Sequence, residues 1–438
     1  MKIAIDGFNL GLREGTGIAT YSRNLASALS HLGHEIFPVY GLNRVGRDAS
    51  LSWARFIQSL TVHGEPASGD FLEWVPNFIL RAPKQLIRLS SVAYPVVVAP
   101  EVEVGPVKEK LPSYDGLYNC DSVFRTAQAY SSVGGATTKL KFSDGFIPHL
   151  FHATCPIPID LPRTKKIVTV HDVIPLVLPT STEVNLKHYR RMVAASIKDA
   201  SAVFAVSEHS KRDFLNFFDF PADRVHVTYQ AVDIPERYQS LGENEVRNFV
   251  NNNYSLGYKE YFLFYGAIEP KKNILRILEA FSIADCSMPI VIVGKDGWLY
   301  EDVKKFLNVV KRRKLGRRKF VRIPYAPFRH LMHLLKGAKG VVFPSIYEGF
   351  GLPVLEAMVM GVPVITSTSS SLPEVGGDAA HYVDAYDNRS IADGIERIAH
   401  DDSYADELVR RGYKQAQHFS MHAYEERLHM GYSKALNT

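Results

Sequence analysis

Two glutamates separated by seven residues, Glu348 and Glu356, frame the densest chemical signal in this 438-residue chain. They sit in the run Pro344-Ser345-Ile346-Tyr347-Glu348-Gly349-Phe350-Gly351-Leu352-Pro353-Val354-Leu355-Glu356-Ala357-Met358. An apolar stretch ending at Phe343 predicts a buried strand, and a glycine-rich turn follows it. Pro353 suits the first helical position, and Gly361 suits the cap after Val354–Met360. In doubly wound sheets, ligands bind beyond the carboxyl ends of the strands. Gly349 and Gly351 let main chain approach a ligand closely. Their N–H groups, with a helix N-terminus behind them, make an anion site. Glu348 is expected on the loop, and Glu356 in the first turn of the helix on the same side. Each carboxylate offers two oxygens to sugar hydroxyls. A tight strand–turn–helix corner with two capping carboxylates fits the same spacing.

A second constellation is Gly266-Ala267-Ile268-Glu269-Pro270-Lys271-Lys272-Asn273, after the predicted strand Tyr261–Tyr265. Asn273 is a good N-cap for a helix bearing Ile274, Leu275, Ile277, Leu278 and Phe281. Lys272 then projects at a helix N-terminus, where a cation and free N–H groups together suit a phosphate. Attraction between an ammonium and a phosphate oxygen at ~4 Å is about 4 kcal/mol at an effective dielectric of ~20. A solvated surface lysine describes Lys271 better than Lys272.

Other candidates carry less. Gly11, Gly15 and Gly17 do not make G-x-G-x-x-G, so no dinucleotide fingerprint is present. His330 and His333 lie three apart with no third ligand nearby, and a helix surface explains them better than a metal. His149 and His152 flank a strand end; His152 is a weak candidate for an acceptor cleft, and packing explains it equally well. No D-x-D occurs anywhere in the chain.

The elements that must carry these residues are short apolar runs alternating with helix-like segments. Strands are expected at Lys2–Ile5, Ile36–Tyr40, Leu150–Ala153, Ile167–Val170, Ala202–Val206 and Val225–Tyr229. A second set is expected at Tyr261–Tyr265, Ile290–Val293, Phe320–Ile323, Val341–Phe343 and Pro363–Thr366. The runs do not alternate, as befits strands buried on both faces. The fold class is α/β, with two doubly wound parallel sheets, Rossmann-like, facing a cleft. The first helix follows Gly15-Thr16-Gly17, places Ile18, Tyr21, Leu25, Ala28, Leu29 and Leu32 on one face, and stops at Gly33. The domains are expected at 1–235 and 258–420, joined by a polar stretch. Residues 43–146 resist assignment. They read as loops and helices around the first sheet, or as an acceptor or membrane surface through Trp53, Trp74, Phe78, Ile79, Leu80, Arg81, Lys84, Leu86, Ile87 and Arg88.

Composition sets the outer bounds. Hydrophobic residues at 46% and charged residues at 22% exclude disordered, collagen-like and coiled-coil classes. Cys120, Cys155 and Cys286 form no C-x-x-C pair and fit a reducing compartment. The 51 Lys+Arg against 46 Asp+Glu give a net charge of +5, which permits contact with phosphates or anionic lipid without demanding nucleic acid. The run from Lys304 to Lys319 contains no acidic residue and one aromatic, Phe306. A solvated helix is favoured over anionic lipid, and RNA would want more aromatics. The N-terminus meets a charge too early for a signal peptide, and no run approaches the ~20 apolar residues of a spanning helix.

With those residues in view, 261–384 strongly resembles the C-terminal half of retaining glycosyltransferases of the two-domain B fold, family four. The match runs through Gly266–Asn273, Phe343–Gly361, Ser371-Leu372-Pro373-Glu374-Val375 and Gly377-Asp378-Ala379-Ala380, and the wording looks most like mannosyltransferases. In the first half, Gly15-Thr16-Gly17, His171-Asp172 and Val206-Ser207-Glu208-His209-Ser210-Lys211 resemble the family's motifs more loosely. The resemblance implies transfer of a sugar from a nucleotide sugar to a saccharide hydroxyl, with retention and without a metal or other cofactor. It assigns Lys272 to the leaving diphosphate, Glu356 to the ribose and Glu348 to the transferred sugar. Phe350, Gly351 and Leu352 would cradle that sugar, His171 would face it, and Gly17 would approach the diphosphate. Gly15, Gly266, Lys271 and Gly349 join the donor site; Asp172, Ser207 and His152 stand on the acceptor side. Many relatives carry an Arg after the glycine corresponding to Gly266, and here Ala267 stands there. GDP-mannose is the expected donor, with UDP- and dTDP-sugars open, and the acceptor is a polysaccharide or lipid-linked oligosaccharide. The expected location is the cytoplasm, with peripheral contact at the cytoplasmic face of the membrane left open, and 421–438 is expected to pack back on the first domain. A non-catalytic sugar-nucleotide-binding scaffold subunit is the rival reading.

Overall fold

Runs of apolar residues become strands covered on both faces because neither face can be left to water. The structure, a computed structural model, describes the whole chain except residues 12–16, 44, 46–48, 64–89, 100–110, 298–300, 313–319 and 438. In the first half the strands are β1 (Lys2–Asp6), β2 (Glu35–Tyr40), β3 (Ser90–Val96), β4 (Leu117–Asn119) and β5 (Thr138–Phe142). They continue with β6 (Leu150–Ala153), β7 (Ile159–Asp160), β8 (Lys165–Val170), β9 (Ala202–Ala205) and β10 (Val225–Val227). Together they form one sheet in the order β10-β9-β8-β6-β1-β2-β4-β3-β5-β7. The β3–β4 pair is antiparallel, and the other described pairs are parallel.

The second half builds β11 (Phe262–Tyr265), β12 (Ile290–Val293), β13 (Phe320–Ile323), β14 (Gly340–Phe343), β15 (Val364–Ser367) and β16 (His381–Val383). Their order is β13-β12-β11-β14-β15-β16, parallel throughout. The chain winds outward from β11 through β12 and β13, then returns to β14 on the other side of β11. The loops after β11 and β14 therefore diverge and leave a crevice at the strands' carboxyl ends, where doubly wound folds bind ligands. The first sheet has the same feature at β1, which lies between β2 and β6.

Helices cover both sheets. The helix Gly17–His31 buries Tyr21, Leu25, Ala28 and Leu29, and ends before Gly33 at φ +77°. Between the halves, the helix Glu243–Tyr254 sends Val246 and Val250 into the second lobe, against Gly337. The last helix, Met421–Asn437, crosses back to the first sheet. Its Tyr424, Leu428 and Tyr432 are buried, and Gly431 lies so close to Phe204 that a Cβ there would stand 2.9 Å from the ring.

The region 43–146 does more than wrap the first sheet. It contributes β3, β4 and β5 to it, along with the helix Val123–Gly134. Trp53 is not a surface residue: it is buried and stacks on Phe56 with centroids 5.8 Å apart. Trp74, Phe78, Ile79, Leu80, Arg81, Lys84, Leu86, Ile87 and Arg88 lie outside the described residues. Among the described residues, no helix is long and apolar enough to cross a membrane.

Candidate active site

The loops after β11 and β14 flank the crevice of the second sheet. After β11 the chain passes Gly266 at φ +139°, makes a single 3-10 turn at Pro270–Lys272, and enters the helix Ile274–Ile283. Asn273 occupies the N-cap position but does not cap with its side chain. Its backbone is left-handed at φ 64°, and its amide donates instead to the carbonyls of Pro344 (3.1 Å) and Ala385 (2.6 Å). The residue thus ties the β11 loop to the β14 loop, aided by Ile346 N–H donating to Lys271 O at 2.7 Å.

That tie brings charges together. Lys272 Nζ donates to Glu348 Oε1 at 2.6 Å, with both side chains largely buried, and lies 4.9 Å from the centre of the Phe343 ring. Burial acts to raise the Glu348 carboxyl, but the ammoniums of Lys272 and Lys271 outweigh it and hold it below the usual range. Lys271 is not a solvated surface lysine. Its ammonium is 3.9 Å from Glu269 Oε2. Burial acts to lower its pKa, and the negative field of Glu348, Asp172 and Glu269 overrides that and raises it. For Glu269 burial prevails over the two lysines and pushes the carboxyl up. Two cations and three carboxylates thus share one small region. An ammonium has three protons; Lys272 gives one to Glu348 and keeps two for another acceptor.

The two glycines of the β14 loop are both tightly surrounded. A Cβ at Gly349 would lie 2.4 Å from the carbonyl oxygen of His171, so the bare glycine allows close approach to the first lobe. Gly351 caps the helix Leu352–Val359 at φ +112°, and a Cβ there would meet Leu372 at 2.8 Å. Phe350 is buried against Phe419 and Tyr229, so its ring packs in the core and leaves only its main chain to face the crevice. Leu352 is partly buried in the same core. Glu356 is the fifth residue of that helix, just past the first turn in which it was expected. Its Oε2 accepts from Tyr265 O–H at 2.8 Å.

From the first lobe, His171 follows β8 and donates Nε2–H to the carbonyl of Thr154 at 2.8 Å. A carbonyl can only accept, so that nitrogen carries the proton. Burial lowers the imidazole pKa and leaves Nδ1 a bare acceptor at neutral pH. Thr154 N–H in turn donates to Asp6, whose buried carboxyl is pushed up to about 6 chiefly by desolvation. Asp172 Oδ1 accepts from Ile174 N–H at 3.1 Å, and its charge reaches Lys271 and Glu269.

The lobes are clamped beside this cluster. Ser207 caps the helix Glu208–Phe217 and also donates to Gly349 O at 2.8 Å. It is therefore a buried cap and a bridge between the lobes. Ser210 Oγ lies 2.8 Å from His171 O and 3.0 Å from Gly349 O. The Glu374 carboxylate accepts from the N–H groups of Glu208 (2.8 Å) and His209 (2.7 Å), occupying that helix's N-terminus. Tyr347, next to Glu348, bonds His209 at 2.7 Å and donates to Asp213.

Other expected residues stand apart. His152 is fully buried beneath the last helix, bonded to Tyr432 O–H and, at 2.8 Å, to Thr169 Oγ1, so it lines no cleft. Gly17 opens its helix and is exposed, while Gly15 lies outside the described residues. His330 pairs with Tyr254 O–H, and His333 stacks on Phe249. Among the described residues, no three His, Cys, Asp or Glu gather as metal ligands would. Residue type and spacing give no role to Tyr265, Glu269 or Glu374. Glu374 stood in a recognised motif, but only the packed lobes reveal its partner.

Comparison with known proteins bears on this arrangement. Residues 248–415 match the family model described as glycosyl transferases group 1, and residues 141–236 match that described as glycosyltransferase family 4. The chain is 32% identical over 261 residues to O-antigen chain mannosyltransferase B of Escherichia coli, aligning 58% of this chain with 67% of that one. This protein belongs to the family-four glycosyltransferases. It is also 29% identical over 282 residues to the serotype-specific mannosyltransferase WbdA of Escherichia coli, covering 63% of this chain and 34% of that longer protein. In fold this family-four chain is similar to the solved structure of Anabaena HepE in complex with UDP and glucose, at a TM-score of 0.65 and 14% identity over 99% of each chain. The α/β architecture of two parallel sheets is thus that of the B-type transferases.

Proposed function

We propose that this chain is a retaining, metal-independent hexosyltransferase that moves mannose from GDP-mannose to a hydroxyl of a polysaccharide or lipid-linked oligosaccharide. The observation that carries the reading is the Lys272–Glu348 pair, with Lys271 beside it, at the crevice of the second sheet and opposite His171. The diphosphate would lie at the β11 loop, taking the two free protons of Lys272 and the charge of Lys271. Lys271 then does the work of the arginine that Ala267 replaces. Glu348 and the bare Nδ1 of His171 would accept hydroxyl protons from the sugar, and Glu356 would accept from the ribose.

In the step, the bond from the anomeric carbon to the phosphate oxygen breaks and the acceptor oxygen bonds to that carbon on the same face. The acceptor's proton passes to the departing phosphate oxygen. No side chain has to act as a strong base, and catalysis rests on the two ammoniums meeting the charge that develops on the diphosphate. The mannosyltransferase names of the relatives at 32% and 29% identity support mannose as the group moved. A UDP-sugar donor is the second reading, favoured by the UDP held by the solved neighbour in fold.

The test is incubation with GDP-mannose, UDP-glucose and other sugar nucleotides, with and without lipid-linked saccharide acceptors, in the presence of EDTA. Release of GDP from GDP-mannose that depends on acceptor, with an axial-to-axial product by proton NMR, supports the reading. A strict divalent-ion requirement or inversion overturns it, and binding without turnover across a wide acceptor set favours a scaffold.

A further inference from the structure

Glu356 is a carboxylate in an awkward place. It sits inside the helix Leu352–Val359, half-buried, and the hydrogen bond shown for it comes from a neutral phenol. Among the described ion pairs, none pairs it with Lys, Arg or His, unlike Glu348 and Glu269. A half-buried carboxylate with two oxygens and one protein donor has acceptor capacity left over.

The donor it does have is Tyr265, the last residue of β11. Phe262, Leu263, Phe264 and Tyr265 alternate across the sheet, so the phenol leaves on the face opposite Phe264. It reaches the helix that follows the neighbouring strand β14. Its oxygen lies 2.8 Å from Glu356 Oε2 and 3.0 Å from the carbonyl of Pro353. A phenol has one proton, and the carboxylate is the nearer and stronger acceptor. With burial and the neighbouring carboxylate both pushing its pKa far up, the phenol stays protonated and can only donate here. Oε2 is thereby pinned, and the side chain can no longer rotate freely about its last bond. Oε1 is left free to receive hydroxyls.

We infer that Tyr265 is a positioning residue that presents Glu356 to the two ribose hydroxyls of the nucleotide, and so sets discrimination between ribo- and deoxynucleotides. The inference rests on the proposed placement of the ribose at Glu356. Without the phenol, the carboxylate would turn, or take up a proton in its apolar surroundings. A hydroxyl proton would then no longer find an anionic acceptor in a fixed place. The rest of the nucleotide, held by the β11 loop, would be untouched. The effect should therefore appear in the ratio of affinities, not in affinity for every ligand.

The experiment is titration calorimetry of the full chain and of Tyr265→Phe and Glu356→Gln, using GDP and UDP and the 2′,3′-dideoxy form of each. The wild-type chain should bind the ribo form about 10- to 100-fold more tightly than the dideoxy form, the scale of one or two hydrogen bonds to a charged group. Tyr265→Phe should cut that ratio by about tenfold, leave dideoxy affinity within about twofold, and keep the melting temperature within a few degrees. If Glu356→Gln lowers the ratio and Tyr265→Phe leaves it at the wild-type value, the positioning role is refuted while the ribose site stands. The role is equally refuted if Tyr265→Phe weakens both forms alike, as a merely structural change would. If Glu356→Gln itself leaves the ratio unchanged, or if neither nucleotide binds, the ribose placement fails and takes this inference with it.

Discussion

Removing the Lys272 ammonium strands the Glu348 carboxylate, and the cost can be worked from the contact. The pair is 2.6 Å apart, with side-chain exposures of 16% and 8%. Deleting one member of a buried ion pair costs about 3–5 kcal/mol, since the survivor is left uncompensated. Lys271 supplies part of the missing field, so the lower end, about 3 kcal/mol, is expected for Lys272→Ala. For a lobe of roughly 150–250 residues, each kcal/mol moves the midpoint by about 2–4 °C, giving a fall of roughly 6–12 °C. Turnover should drop about 10²–10³-fold, the scale of losing one preorganised charge stabiliser. The double variant Lys272→Met with Glu348→Gln removes the stranded charge, so it should recover most of the stability and none of the activity. The sign with pH also follows. Glu348 has a folded pKa below its unfolded one, so the pair's contribution is present above the ordinary carboxylate range and is lost as pH falls through the lower folded value. The gap between wild type and Lys272→Ala should therefore narrow in acid. Scanning calorimetry and a GDP-release assay on all three chains check this. A midpoint for Lys272→Ala within 1 °C or so of wild type, a double variant no steadier than the single, or near-normal turnover would refute the reasoning.

Acid should weaken the seat of the last helix. His152 is buried neutral with its pKa down at about 3, so its contribution is full above pH 6.5 and is lost progressively as pH falls from 6.5 toward 3. At pH 5 that is about 2 kcal/mol; unfolding free energies from urea titrations at pH 7.5 and 5.0 should differ by that much less in His152→Gln, and an equal drop in both chains would count against it. Gly349→Ala puts a methyl 2.4 Å from the His171 carbonyl, so about 1–3 kcal/mol of overpacking should separate the lobes locally and lower turnover at least tenfold, measured by GDP release. Glu374→Ala removes the acceptors for two amides at the N-terminus of Glu208–Phe217, for about 1 kcal/mol, while Glu374→Gln, with one accepting oxygen for the two amides, should keep about half of it; calorimetry that finds the two variants alike would contradict the capping role.

Several elements were readable before any coordinates, for reasons of local chemistry. The strands that bear the crevice loops, β11 and β14, are unbroken apolar runs, and Gly33 and Gly361 end helices at positive φ as expected. The strands that escaped notice have another character. β5 alternates, with Thr138, Leu140 and Phe142 buried and Lys139 and Lys141 exposed, so a search for continuous apolar runs passes over it. β3 contains Pro95, and β7 spans only Ile159–Asp160. Such strands exist because neighbours pair with them, not because their own residues insist.

The same division runs through the site. Residue type and spacing by themselves specified two glutamates after one strand and a lysine after another, since a carboxylate, an ammonium and a glycine have fixed chemistries wherever they sit. Which atoms they meet was decided only by the folded lobes. Gly349 proved to make room for a backbone 178 residues upstream, at His171. Asn273 stitches two loops instead of capping its helix, and Lys271 became a buried cation because Glu348 and Asp172 arrive from distant strands. Charge interactions and close packing depend on distance in space, which one-dimensional spacing does not encode beyond a helix turn or a strand pair.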